Sequence, residues 1–172
     1  ELTGEAFPIA EQVQTLGTVP SYGVFSASEN GVLAYQTGTA AGRAQLVWFD
    51  RSGKQLGVIG DPAAYGDLKL SADGKRAAVW MLDQAGGMRD IWVFDVMRGL
   101  PTRFTSDAAG ESAPIWSPDG SRLVFDSNRK GHRDLYQKAS DGSGTEEVLI
   151  ENNFDKIARS WSADGRFVLY FS

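Results

Sequence analysis

The 172-residue chain is 42% hydrophobic and 23% charged, with a net charge of −5, so it can bury a core but lacks the basic footprint of a nucleic-acid-binding domain. Every apolar run is short and broken by Gly, Asp or Lys, which leaves no stretch for a transmembrane helix and no signal-peptide core near the start. With no cysteine, neither disulfides nor thiolate metal sites can form.

Residues 3–13 read as a turn and an outer strand of a preceding unit, with residues 1–19 as that strand and a linker. Short strand-like runs follow at Tyr22–Ala27, Val32–Thr37, Gln45–Asp50 and Gln55–Ile59. The next set is Asp67–Leu70, Arg76–Leu82, Asp90–Val96 and Pro101–Thr105, and a third is Ser112–Trp116, Arg122–Ser127, Asp134–Ala139 and Glu146–Ile150. The chain closes with Ala158–Trp161 and Arg166–Phe171. These runs are rich in Val, Ile, Leu and aromatic residues and are bounded by Gly, Asp, Asn and Ser, the punctuation of strands. None carries a helical period.

A turn of nearly constant wording sits between the first and second run of each set: Ser28-Glu29-Asn30-Gly31, Ser71-Ala72-Asp73-Gly74, Ser117-Pro118-Asp119-Gly120 and Ser162-Ala163-Asp164-Gly165. The serines are 43, 46 and 45 residues apart, a period that belongs to repeat architectures. Pro118 suits the second position of a type I turn, Asp119 can bond its own backbone, and Gly120 can take a left-handed conformation leading into the next strand. The chain is therefore expected to be an all-β propeller of four-stranded antiparallel blades, strands A to D. Three blades are complete, at 20–60, 61–106 and 107–151, and 152–172 supplies the first two strands of another. Trp116 and Trp161 precede the turn where Leu70 and Ala27 stand in the other sets, and large apolar groups there suit packing between blades.

The run Ile115-Trp116-Ser117-Pro118-Asp119-Gly120-Ser121-Arg122-Leu123-Val124-Phe125, followed by Ser127-Asn128-Arg129-Lys130-Gly131 and Asp134-Leu135-Tyr136, resembles the WD40-like repeat of TolB-type β-propellers. Trp48-Phe49-Asp50-Arg51-Ser52-Gly53-Lys54 and Asp134-Leu135-Tyr136-Gln137-Lys138-Ala139 are similar to propeller regions attached to bacterial serine/threonine protein kinases or transcriptional regulators. The resemblance implies a sensory, scaffolding or protein-interaction module, and it favours a periplasmic or extracytoplasmic setting. It carries over no catalytic residue, because no kinase motif is present.

In an up-and-down blade the A–B and C–D turns share one face, and the B–C and D–A loops share the other. The second face holds the charged loops, and its candidate partner-binding rim is Arg43, Arg89, Lys130, His132 and Arg133 from B–C loops with Asp67, Glu111, Asp155 and Lys156 from D–A loops. Such a rim suits a protein or peptide partner; surface ion pairs between neighbouring blades are the plainer reading. The strand inventory leaves one strand short of simple closure. That predicts a larger propeller of roughly six to eight blades, or a homo-oligomer that completes the open edges.

No catalytic constellation is legible. Gly110-Glu111-Ser112-Ala113-Pro114 lacks the last glycine of a nucleophile elbow, and a single histidine, His132, cannot build a His-based metal site. Asp141–Asn152 lacks the glycine and the terminal glutamate of a calcium loop. No cofactor is expected. The functional expectation is a non-catalytic interaction module, with the substrate-gating propeller of a prolyl-oligopeptidase-like serine peptidase as the alternative.

Overall fold

The computed structural model describes residues 13, 15–16, 22–38, 43–50, 52–82 and 87–172; the turn and outer strand expected over 3–12 lie outside them. All regular elements among the described residues are strands. Strands β3 (Phe25–Ala27), β4 (Leu33–Gly38), β5 (Ala44–Phe49) and β6 (Gln55–Ala63) form one antiparallel sheet in chain order. A second sheet contains β7 (Tyr65–Leu70), β8 (Arg76–Leu82), β9 (Arg89–Asp95) and β10 (Pro101–Arg103). A third contains β11 (Glu111–Trp116), β12 (Arg122–Lys130), β13 (His132–Ala139) and β14 (Glu147–Ile150). Strands β15 (Ile157–Trp161) and β16 (Val168–Phe171) pair with each other, as do β1 (Thr15–Leu16) and β2 (Tyr22–Gly23). Three four-stranded sheets and a two-stranded one, joined D to A, are the blades of a propeller.

The core lies between the sheets. Ala34, Leu46 and Ile59 of the first pack against Tyr65, Leu68, Val79 and Phe94 of the second. Ala78, Ile91 and Val93 meet Trp116, Leu123 and Phe125 of the third, and Ile115, Val124 and Leu135 meet Ala158, Trp161 and Val168. Both faces of the middle sheets are covered, so strand β11 is buried along its whole length. The Trp116 indole adds a directional link, donating its Nε1 hydrogen to the Lys69 carbonyl of the preceding blade at 3.0 Å.

The run Tyr22–Ala27, expected to be a single A strand, is divided: β2 pairs with β1, and β3 pairs with β4. The division falls at Val24, four residues before the signature serine. The same offset marks Asp67, Ala113 and Ala158, and each lies within or at a break in the A–B register. Asp67 and Ala113 have φ values of 51° and 49°, unusual for residues with a side chain. Every inner strand is thus bulged at one level. Strand β10 is also shorter than expected, because the amides of Phe104 and Thr105 both turn to the Ile91 carbonyl instead of extending the ladder.

The repeated turn is held by its serine. In the second blade the Ser71 hydroxyl donates to Asp73 Oδ1 at 2.7 Å and accepts from the Arg76 amide at 3.0 Å, while Asp73 Oδ1 accepts from the Lys75 amide at 3.1 Å. Ser117 with Asp119 and Ser162 with Asp164 repeat the pattern. Gly74 has φ +68°, and a Cβ there would lie 2.8 Å from Asn30 Oδ1 of the preceding turn, so both conformation and close approach call for glycine. Ser71 is 1% exposed, and Ser71→Ala is expected to lower the unfolding free energy by about 1–2 kcal/mol, measured by denaturant titration, because a buried amide loses its acceptor.

Candidate functional site

The register breaks of the inner strands place Val24, Asp67, Ala113 and Ala158 around one cavity of about 100 Å³, to which Lys69 and Arg159 also contribute. Asp67 joins two blades there. Its Oδ2 accepts from Trp80 Nε1 at 2.9 Å and from the Ala113 amide at 3.2 Å, so one carboxylate braces the bulge of the next inner strand.

On the face of the B–C and D–A loops, the first residues of each C strand reach across to the next element. Gln45 donates to the Gly60 carbonyl at 3.0 Å, Asp90 accepts from Arg103 at 2.7 Å, and Asp134 accepts from Lys156 at 2.8 Å. Lys156 is fully buried and also donates to the carbonyls of Asn152 and Phe154. Burial alone would raise the Asp134 carboxyl, but hydrogen bonds from Lys156 and the Asn152 amide, with the Lys156 charge, hold it below the usual range. Next to it, Asp126 accepts from Arg133 and from the Ser112 hydroxyl, which is 2.9 Å away. Burial pushes the Asp126 carboxyl up, against the Arg133 charge and these two donors.

A third buried acid, Glu111, opens strand β11. Its Oε2 accepts from Thr105 at 3.1 Å, and its Oε1 from Ser127 at 3.0 Å and Arg129 at 3.3 Å. Burial dominates and pushes this carboxyl up to about 7, while Ser127, Thr105 and Arg129 pull it down and Asp90 adds a further push. Arg129 also pairs with Glu146 at 2.6 Å and Asp107 at 3.6 Å, and its guanidinium lies 4.3 Å from the Tyr136 ring centroid. Desolvation opposes its charge, yet these acids raise its pKa above the ordinary arginine value.

The expected rim residues therefore fall into two groups. Arg43, Arg89, Lys130, His132 and Asp155 are exposed. Arg89 lies over the Trp80 ring at 4.7 Å, Lys130 pairs with Glu151 at 2.7 Å, and His132 Nδ1 is 3.8 Å from Asp155 Oδ1. Glu111 and Lys156 show no exposed surface, Arg133 is turned to Asp126, and Asp67 is half-buried between blades. The physical reason is placement: Asp67 and Glu111 belong to the inner strands β7 and β11 and Lys156 immediately precedes β15, so these groups lie between sheets and meet partners there, whereas Asp155 stays outside. Sequence reasoning missed Asp90, Asp126 and Asp134. The available signal was an Asp inside an apolar strand, as in Val124-Phe125-Asp126 and Asp90-Ile91-Trp92, which requires a buried partner. Among the described residues no three acidic or histidine side chains converge to hold a metal.

Residues 26–172 match the family described as TolB beta propeller domain. The chain is 30% identical over 109 residues to an uncharacterized peptidase, YuxL, of Bacillus subtilis, which covers 60% of this chain and 16% of that protein. It is 28% identical over 103 residues to the Tol-Pal system protein TolB of Wolinella succinogenes, covering 60% of this chain and 24% of that protein. The crystal structure of TolB from Acinetobacter baumannii superposes with a TM-score of 0.73 at 20% identity, over 92% of this chain and 37% of that one. The chain thus spans well under half the length of each.

Proposed function

This chain belongs to the TolB beta propeller domain family, and from that premise we propose that it is a non-catalytic interaction module within a larger bacterial protein, such as a kinase or transcriptional regulator. The observation that carries this reading is the division of charge at the rim. The buried acids Glu111, Asp126 and Asp134 are each occupied by donors of this chain, which makes them framework, and Arg43, Arg89, Lys130, His132 and Asp155 form the surface offered to a partner. That surface carries exposed charge of both signs, with Glu151 beside Lys130 and Asp155 beside His132, and it rests on strand ends, which suits a charged segment of a protein or peptide. The exposed face of β16, with Leu169 and Phe171, would be covered in the same assembly by a further blade or a second copy.

The test is capture of partners by cross-linking, with wild-type chain compared with an Arg89→Glu, Lys130→Glu variant. Neither residue supports a buried acid, so the fold should persist. The partner's affinity is expected to fall roughly fivefold or more and to weaken with added salt. Unchanged capture by the variant would remove the rim from consideration.

The similarity to a peptidase of Bacillus subtilis favours one second reading, a propeller that gates substrate access to a serine peptidase domain elsewhere in the polypeptide. A fluorophosphonate probe separates the two when applied to the full-length gene product: serine labelling supports the peptidase, and its absence in an otherwise folded product supports the interaction module.

A further inference from the structure

A cleft of about 360 Å³ separates strands β9 and β10 of the second blade from the C–D turn of the third, at Ser140, Asp141 and Gly142. Both four-stranded sheets that bound it are complete, so its opening does not depend on where the chain begins or ends. The preceding junction is tighter. There the C–D turn of the second blade comes against the outer strand of the first, and a Cβ on Gly99 would lie 3.6 Å from the Gly60 amide nitrogen. Gly142 is the left-handed glycine of the corresponding turn one blade further, and a Cβ there would meet nothing within 4 Å. The outer strands account for the difference: β6 runs for nine residues, whereas β10 ends after three because the Phe104 and Thr105 amides turn inward to the Ile91 carbonyl.

The cleft combines apolar surface with guanidinium groups. Val93 and Phe104 are buried along it, and Leu100, 61% exposed, adds an apolar side. Arg76, Arg98 and Arg103 also line it. Arg103 is committed to Asp90 and to the Thr105 carbonyl. Arg76 lies 4.5 Å from the Trp116 ring centroid and donates to the Gly120 carbonyl at 2.8 Å and the Ser140 hydroxyl at 3.0 Å, but it pairs with no carboxylate among the described residues. The Arg98 guanidinium makes neither a hydrogen bond nor an ion pair among them; only its backbone amide is held, by Asp95.

Two carboxylates complete the lining, and their own turns occupy them. Asp95 Oδ1 accepts from the Met97 and Arg98 amides, and Asp141 Oδ1 accepts from the Ser143 amide at 2.8 Å. Two of the three cations therefore lack an acidic partner, in a chain whose net charge is −5. A cleft with apolar walls and unanswered guanidinium groups suits a carboxylate carried on an apolar body. In a polypeptide, an apolar side chain and a carboxylate share one Cα only at the C-terminus.

We propose that this cleft docks the apolar C-terminal residue of a protein partner. Its side chain lies against Val93, Leu100 and Phe104, and its terminal carboxylate is answered by Arg98, with Arg76 adding charge. The Thr102 hydroxyl, which makes no bond of its own among the described residues, is available to the last peptide group. The cleft is on the face opposite the charged rim and stands independently of it.

The test is an NMR titration of the ¹⁵N-labelled chain with N-acetyl-leucine, alongside N-acetyl-leucine amide, acetate and 4-methylpentanoate. N-acetyl-leucine is expected to give saturable shifts centred on the Arg98, Thr102 and Gly142 amides. The amide lacks the charge, acetate lacks the apolar body and 4-methylpentanoate lacks the peptide group, so each should bind more weakly. Arg98→Gln removes a side chain that supports nothing else in the chain, and it should lower the affinity for N-acetyl-leucine about fivefold, whereas Arg122→Gln, outside the cleft, should leave it unchanged. Absence of saturable shifts, shifts confined to other surfaces, equal binding of the amide or of acetate, or undiminished affinity in Arg98→Gln each overturn the proposal. Equal binding of 4-methylpentanoate also overturns it, by assigning the cleft to a free carboxylic acid instead of a chain terminus.

Discussion

Replacing Lys156 by Met is expected to lower the unfolding free energy by about 3–5 kcal/mol, the largest stability loss of any single rim substitution, because it strands a buried carboxylate. The Lys156 ammonium is fully buried and serves Asp134 Oδ1 together with the carbonyls of Asn152 and Phe154. Asp134 is itself only 2% exposed, so water cannot replace the lost donor. A second substitution separates the cost of the stranded charge from that of lost packing. Adding Asp134→Asn to Lys156→Met removes the charge and should recover much of the loss, since a neutral pair in the interior often rivals an ion pair. Denaturant midpoints of the two single variants and the double variant measure this coupling directly. Acid provides a further check on the same pair. The folded-state pKa of Asp134 is depressed, so its contribution is complete above the unfolded value of 3.8 and is lost as the pH falls through the folded value. In Lys156→Met that part of the acid sensitivity should vanish.

Lys156 also shows where sequence reading stops. The propeller is legible because its signal is local: a serine hydroxyl, a carboxylate and a left-handed glycine close each turn within a few residues, and the wording repeats with the blade. The bulge of the inner strands is not legible, although it recurs as regularly. Val24, Asp67, Ala113 and Ala158 hold no single residue type in common, since what repeats there is the backbone path around the cavity and not a side chain. The rim is intermediate. Its exposed members, such as Arg89 and Lys130, follow from loop assignment alone. Glu111 and Glu151 both fall in D–A connections by sequence, yet Glu111 opens the buried inner strand β11 whereas Glu151 follows the exposed outer strand β14, so one is buried and the other exposed. Asp carries the further ambiguity that it closes turns at Asp119 and, itself buried, pairs with cations at Asp126 and Asp134. Only the phase of the surrounding strand distinguishes the two uses.

Glu111 should give the opposite pH response to Asp134. Its carboxyl is raised to about 7 by burial from an ordinary value of 4.5, so between these values the folded chain holds a proton that the unfolded chain has released. Stability from this group is therefore complete below about 4.5 and declines as pH rises toward about 7. Glu111→Gln is the matched control, because the amide oxygen can still accept from Ser127 and Arg129 while the amide nitrogen faces the Thr105 hydroxyl. The stability of Glu111→Gln minus that of the wild type is expected to climb through this interval and to level off above it. The subtraction cancels every other carboxylate, including the turn aspartates, whose lowered pKa values act in the reverse sense. A flat difference would mean that Arg129 and the two hydroxyls keep Glu111 ionised throughout. In that case the buried cluster joining the second and third blades is a charged clasp at all pH values and carries no proton.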